Sequence, residues 1–118
     1  MCVLPTVFHK ESVDLLCNRH FDGGLLNATA EDRTFGVGLQ ERMEDMTDIT
    51  FAALDVAVST RILTISEQDL SVIIGPVSAK SFRGNGDSGK IIQTARRLGY
   101  WFATRSLVET CSLLRISF

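Results

Sequence analysis

The chain has 118 residues, of which 45% are apolar and 22% charged, the size and balance of one packed domain, residues 1–118, that needs neither disulfides nor metal to fold. No apolar run approaches the ~20 residues of a membrane-spanning helix, and Lys10, the first basic residue, follows the apolar N-terminal stretch instead of preceding it as in a secretory signal. Cys2, Cys17 and Cys111 are odd in number and widely spread, which fits reduced thiols, and a cytoplasmic location with no membrane contact is expected.

The net charge of -2 conceals an asymmetry. Residues 1–58 hold four basic groups against ten acidic ones, a net of -6. Residues 80–105 hold Lys80, Arg83, Lys90, Arg96, Arg97 and Arg105 against Asp87 alone, a net of +5. Such a split suits an anion-facing surface on the C-terminal third or head-to-tail association of copies, and it suits equally faces that compensate one another within the fold.

In chain order, residues 10–20 predict a helix with Val13, Leu16 and Cys17 on one face, ended by Asp22-Gly23-Gly24. Residues 25–30 and 34–39 predict two short strands around Glu31-Asp32-Arg33, most simply a hairpin. Residues 47–63 can be read two ways. As a helix, Ile49, Ala52, Ala53, Val56, Ala57 and Thr60 form one stripe; as a strand, the alternation would bury Asp55. The helix is favoured as far as Ser59, followed by a strand at 62–65.

Residues 70–77, with Val72, Ile73 and Ile74, predict the clearest strand. Residues 81–89 predict a glycine-rich loop, and a helix from there to about 104 places Ile91, Ala95, Leu98 and Phe102 inward. Gly99 could end that helix early. The alternating tail 112–118 predicts a terminal strand, at a sheet edge or paired with a second copy in a homo-oligomer. Together these elements predict an α+β fold with about five strands in one mainly antiparallel sheet and two or three helices.

The strongest chemical signal is Arg83-Gly84-Asn85-Gly86-Asp87-Ser88-Gly89-Lys90. Three glycines let successive N–H groups converge on an anion, and a helix N-terminus with two cations adds charge. Arg83, Gly84, Gly86, Gly89, Lys90, Arg96 and Arg97 are therefore candidate anion or phosphate ligands. Gly84, four residues, then Gly89-Lys90 matches a P-loop except at Ile91, where a magnesium-binding Ser or Thr belongs. A plain surface turn capped by Asp87 or Ser88 uses the same residue types. The strand at 70–77, the Arg83-Gly84-Asn85-Gly86 turn and the helix through Ala95 to Gly99-Tyr100 resemble the acyl-CoA-binding core of the acetyl-CoA-dependent N-acetyltransferases. That resemblance implies coenzyme A as cofactor and the 83–90 turn as its pyrophosphate site; Ser88 and Gly89 depart from the family's spacing.

Cys2, His9, Cys17 and His20 carry metal-binding side chains, but their spacing differs from that of structural zinc sites, and no metal is expected. Cys17 and His20 could otherwise form a thiol–base pair. Phe82, Tyr100, Trp101 and Phe102 interleave with the basic segment, as in single-strand nucleic-acid binders, and would serve equally as core. The leading reading is a non-enzymatic binding or assembly module that presents residues 80–105 to nucleic acid or a phosphorylated ligand. The alternative is a compact acyl-CoA-dependent transferase. Whether the chain is an enzyme stays open at this level.

Overall fold

A computed structural model describes residues 1–69, 71–75 and 84–117. Its described residues form seven helices and one two-stranded hairpin, in place of the expected five-stranded α+β sheet. Two compact units result: residues 1–46 with the C-terminal segment from 84, and the segment from 47 to 75.

Among the described residues of the first unit every regular element is a helix. The unit opens with α1 (Val3–Val7), where Pro5 sits in the first turn and so removes no intrahelical hydrogen bond. Helix α2 (Lys10–Leu16) follows, capped by His9, whose ring accepts from the Ser12 backbone N–H. The predicted hairpin over 25–39 is absent: α3 (Gly24–Glu31) takes the place of its first strand, and a turn over 33–38 that leads into α4 (Leu39–Asp45) takes the place of its second. Leu25 and Ala28, both fully buried, are three residues apart on one helical face. That period of three to four outweighs the short alternation that suggested strands. Gly23 and Gly38 take φ of +70° and +71° immediately before the two helices, a conformation that favours glycine.

Helix α6 (Gly86–Ala103) runs through Gly99 without a break and contacts α1, α2 and α3. Leu98 and Trp101 are buried, and Ile91, Ala95 and Phe102 pack against the core around them. The expected inner face is present, with Thr94 and Trp101 added to it. The predicted terminal strand over 112–118 gives way to α7 (Leu107–Leu114). A reciprocal capping box opens that helix, with Ser106 Oγ accepting from the Glu109 N–H and Glu109 accepting from the Ser106 N–H. Arg115, at φ +55°, closes it: its N–H bonds Ser112 and the next N–H, of Ile116, bonds Cys111. Gly36 lies so close to this end that a Cβ would stand 2.7 Å from the Leu114 carbonyl oxygen. Residues 112–114 lie in this helix, which satisfies its own backbone, and the Ser117 N–H donates to Gln40 Oε1, so the expected edge strand is absent over 112–117; Phe118 lies outside the described residues.

The second unit contains α5 (Thr47–Ser59), which packs on β1 (Leu63–Ile65), and β1 pairs antiparallel with β2 (Val72–Ile74). The register sets Leu63 opposite Ile74 and Ile65 opposite Val72. Helix α5 ends as α7 does, with Arg61 at φ +59° and N–H bonds from Arg61 to Val58 and from Ile62 to Ala57. At the turn, the Asp69 carboxylate accepts from the Ser71 N–H and hydroxyl. Hydrogen bonds from Ser66 and then Ser71 hold its pKa down to about 2. Gly75 meets the Arg61 carbonyl so closely that no side chain fits there. Thus the favoured helix is present, and the strands expected at 62–65 and 70–77 are present over 63–65 and 72–74 as one hairpin; residues 70, 76 and 77 lie outside the described residues.

Candidate functional site

The glycine-rich turn is built by close backbone packing. A Cβ on Gly84 would stand 2.9 Å from the Gly89 nitrogen, and one on Gly89 would strike the Gly84 carbonyl oxygen. Gly86 takes φ of +61° at the first position of α6. The glycines therefore let residue 84 fold down on the first turn of the helix. Asn85 occupies the cap position with no side-chain bond, and neither Asp87 nor Ser88 is the cap. Asp87 lies in the first turn, where its carboxylate complements the helix dipole.

The candidate cations divide sharply. Lys90 Nζ lies 3.0 Å from Asp14 Oδ1, and that carboxylate raises the Lys90 pKa. Arg97 Nε donates to the Arg19 carbonyl at 2.6 Å, and the guanidinium lies 5.1 Å from the centre of the Phe21 ring. Arg96 alone of the three points to solvent without such an engagement. Arg83, like Lys80 and Phe82, lies outside the described residues. The structure thus gathers Gly84, Gly86 and Gly89 into one turn and turns Lys90 and Arg97 toward partners within the chain.

The aromatic residues also serve the fold. Trp101 is buried and donates from Nε1 to the Phe21 carbonyl at 2.6 Å. Phe21 meets Tyr100 edge to face at 5.3 Å, and the Tyr100 hydroxyl donates to Asp22 at 2.8 Å. Arg97, Tyr100 and Trp101 therefore fasten the segment 19–22 to α6. The concavity beside the glycine turn, lined by Val7, Phe8, Lys10, Val13, Asp14, Asp87, Lys90 and Ile91, holds about 240 Å³. This is below the ~300 Å³ at which pockets for drug-sized ligands begin, and two carboxylates line it.

The cysteines and histidines are separated by role. Cys17 is buried at the end of α2 while His20 is exposed, and His9 is taken up in capping. Among the described residues no three His, Cys, Asp or Glu side chains converge on a point where an ion could sit.

Sequence reasoning missed the surface of the second unit. In α5 only Thr50 is buried, and none of the six strand residues is. Ile49, Phe51, Val56, Ile65, Val72 and Ile73 are about half exposed, and Ile74 is 85% exposed. Of the predicted stripe, Ile49, Ala52, Ala53, Val56 and Thr60 face solvent and Ala57 is half-buried, with Thr60 just beyond the helix. A signal was available: between Thr47 and Ser59 the only charges are Asp48 and Asp55, so apolar residues run round the whole helix. A helix of that kind is usually covered on all sides.

A family model for the ABC-three component (ABC-3C) system Middle Component 3 matches residues 1–118. The chain belongs to that family. The family's description makes this middle component one part of a system with several components. Comparison with curated proteins and with solved structures gave no match. Among the described residues, no helix of this middle component is long and apolar enough to cross a membrane.

Proposed function

We propose that this middle component is a non-enzymatic assembly module that joins the other components of its system by burying the apolar surface of residues 47–75. The observation that carries the reading is the exposure of Ile49, Phe51, Val56, Ile62, Ile65, Val72, Ile73 and Ile74 within 26 consecutive positions. Ile65, Val72 and Ile74 are neighbours on one face of the hairpin, and all three are exposed. Soluble monomers seldom expose contiguous apolar patches beyond a few hundred Å². A helix and two three-residue strands also provide too little mutual cover to order themselves strongly, so a partner would add stability as well as affinity.

Co-expression with the other two components, followed by size-exclusion chromatography with light scattering, tests this. The wild-type chain is expected to co-elute in a complex, and Val56→Glu with Ile74→Glu to elute alone with its circular dichroism unchanged. Both positions are already solvent-exposed, so a charge there leaves the fold in place. A complex that survives both substitutions would overturn the reading.

Anion binding through Arg83, Gly84, Gly86, Gly89, Lys90, Arg96 and Arg97 is a second proposal, supported by the positive excess of α6 and its glycine turn. Binding nucleic acid there would draw Lys90 from Asp14 and Arg97 from Arg19, and each loss opposes it. Titration of a fluorescent single-stranded oligonucleotide at about 50 and 200 mM salt decides it, because phosphate contacts weaken steeply with salt. Equal, weak binding of wild type and Arg96→Ala at both concentrations would remove it.

A further inference from the structure

The outward ridge of α5 has a geometry that narrows the kind of partner it can take. Ile49, Ala52, Ala53 and Val56 occupy positions i, i+3, i+4 and i+7, which fall on one side of the helix, and all are exposed. The ridge is flanked on one side by Asp48 and Asp55, seven residues apart and therefore in register with one another. No basic residue lies in α5. Across the described residues of the unit, Asp48, Asp55, Glu67 and Asp69 face only Arg61.

We propose that this ridge docks an amphipathic α-helix of another component, one whose apolar stripe is flanked by lysine or arginine. The inference rests on the assembly reading above and specifies its occupant. Two features argue for a helix. The i, i+3, i+4, i+7 spacing is the one that interlocks with a second helix, and the paired alanines between Ile49 and Val56 allow the two axes to approach to about 8 Å. The thirteen residues of α5 give it a length of about 20 Å, just short of two heptads of contact.

Charge selects a heterologous partner over a second copy. Antiparallel pairing of two α5 helices would set Asp48 of one beside Asp55 of the other. Parallel pairing would leave four carboxylates along the rim with no cation. Like charges at such spacings oppose association, and a basic flank on the occupant satisfies both aspartates.

The test replaces Val56 with a photo-crosslinking amino acid in the chain co-expressed with the other components, and reads the linked peptide by mass spectrometry. Alongside it, Asp48→Lys with Asp55→Lys is compared with wild type for complex formation in low and high salt. The expected result is a crosslink to a helical segment of another component with Lys or Arg within one turn of the linked residue. The double reversal is expected to weaken the complex about tenfold at low salt and less at high salt. A crosslink to a second copy, or to a segment without basic residues, overturns the inference. So does a complex that forms without a crosslink and is indifferent to the reversal, an outcome that leaves the assembly reading intact. Failure of any complex to form overturns both.

Discussion

Replacing Trp101 with alanine is expected to destabilise the helical unit by about 3–5 kcal/mol, the usual range for removing a large buried aromatic side chain. For a domain of this size that is a large part of the total stability, so urea unfolding should begin at much lower concentrations and Tm should fall by on the order of 10–20 °C. Trp101 is 1% exposed and belongs to the core with Leu16, Leu25 and Leu98. Its indole N–H also satisfies the Phe21 carbonyl at 2.6 Å, which would lose its partner in the variant. Trp101→Phe separates the two contributions, since it keeps most of the apolar volume but not the donor. An unchanged urea midpoint in Trp101→Ala would show that this residue does not hold α6 to the segment before α3.

Gly24→Ala should destabilise the same unit by about 1–3 kcal/mol, the range for overpacking a filled site. A Cβ there would stand 2.6 Å from Trp101 Cζ2 and 3.2 Å from Cε2. The ring cannot readily retreat, because its nitrogen is bonded to Phe21. Gly99→Ala supplies the opposite sign in the neighbouring helix. Nothing lies within 4 Å of its Cβ position, so alanine there should stabilise α6 by about 0.5–1 kcal/mol through helix propensity alone. Thermal melts of the two variants beside wild type check both signs. A Gly24→Ala melt at or above wild type would mean that Gly24 does not meet the indole, and a Gly99→Ala melt below wild type would mean that its Cβ position is not open.

The two glycines show how a residue type alone underdetermines its role. Gly99 raised the expectation that α6 might stop, yet the helix passes through it because Leu98 and Trp101 on either side are buried. Gly24, read only as part of a turn, is the place where the chain passes the face of the tryptophan. Similarly, Lys90 and Arg97 read as free cations because their partners, Asp14 and the Arg19 carbonyl, are more than seventy residues away in sequence. No local pattern carries such distant pairings.

The features legible in the residues alone were local. The helix over 47–59, the strands near 63–65 and 72–74, and the inward face of α6 all follow from periodicity and β-branched runs that extend for several residues. The Ser-x-x-Glu signature at Ser106 and Glu109 went unread, and the helix it opens runs to Leu114, into the span predicted as a strand. Packing between elements distant in the chain set the rest. In the short segment 25–30 either period fits, and burial of Leu25 and Ala28 in the core selects a helix, while 34–38 form a turn that delivers Leu39 to the same core. It also decided which apolar stripe goes inward. Composition cannot distinguish the stripe of α6, which is covered, from that of α5, which faces solvent, because both are apolar at helical spacing and only the packing of other elements separates core from docking surface.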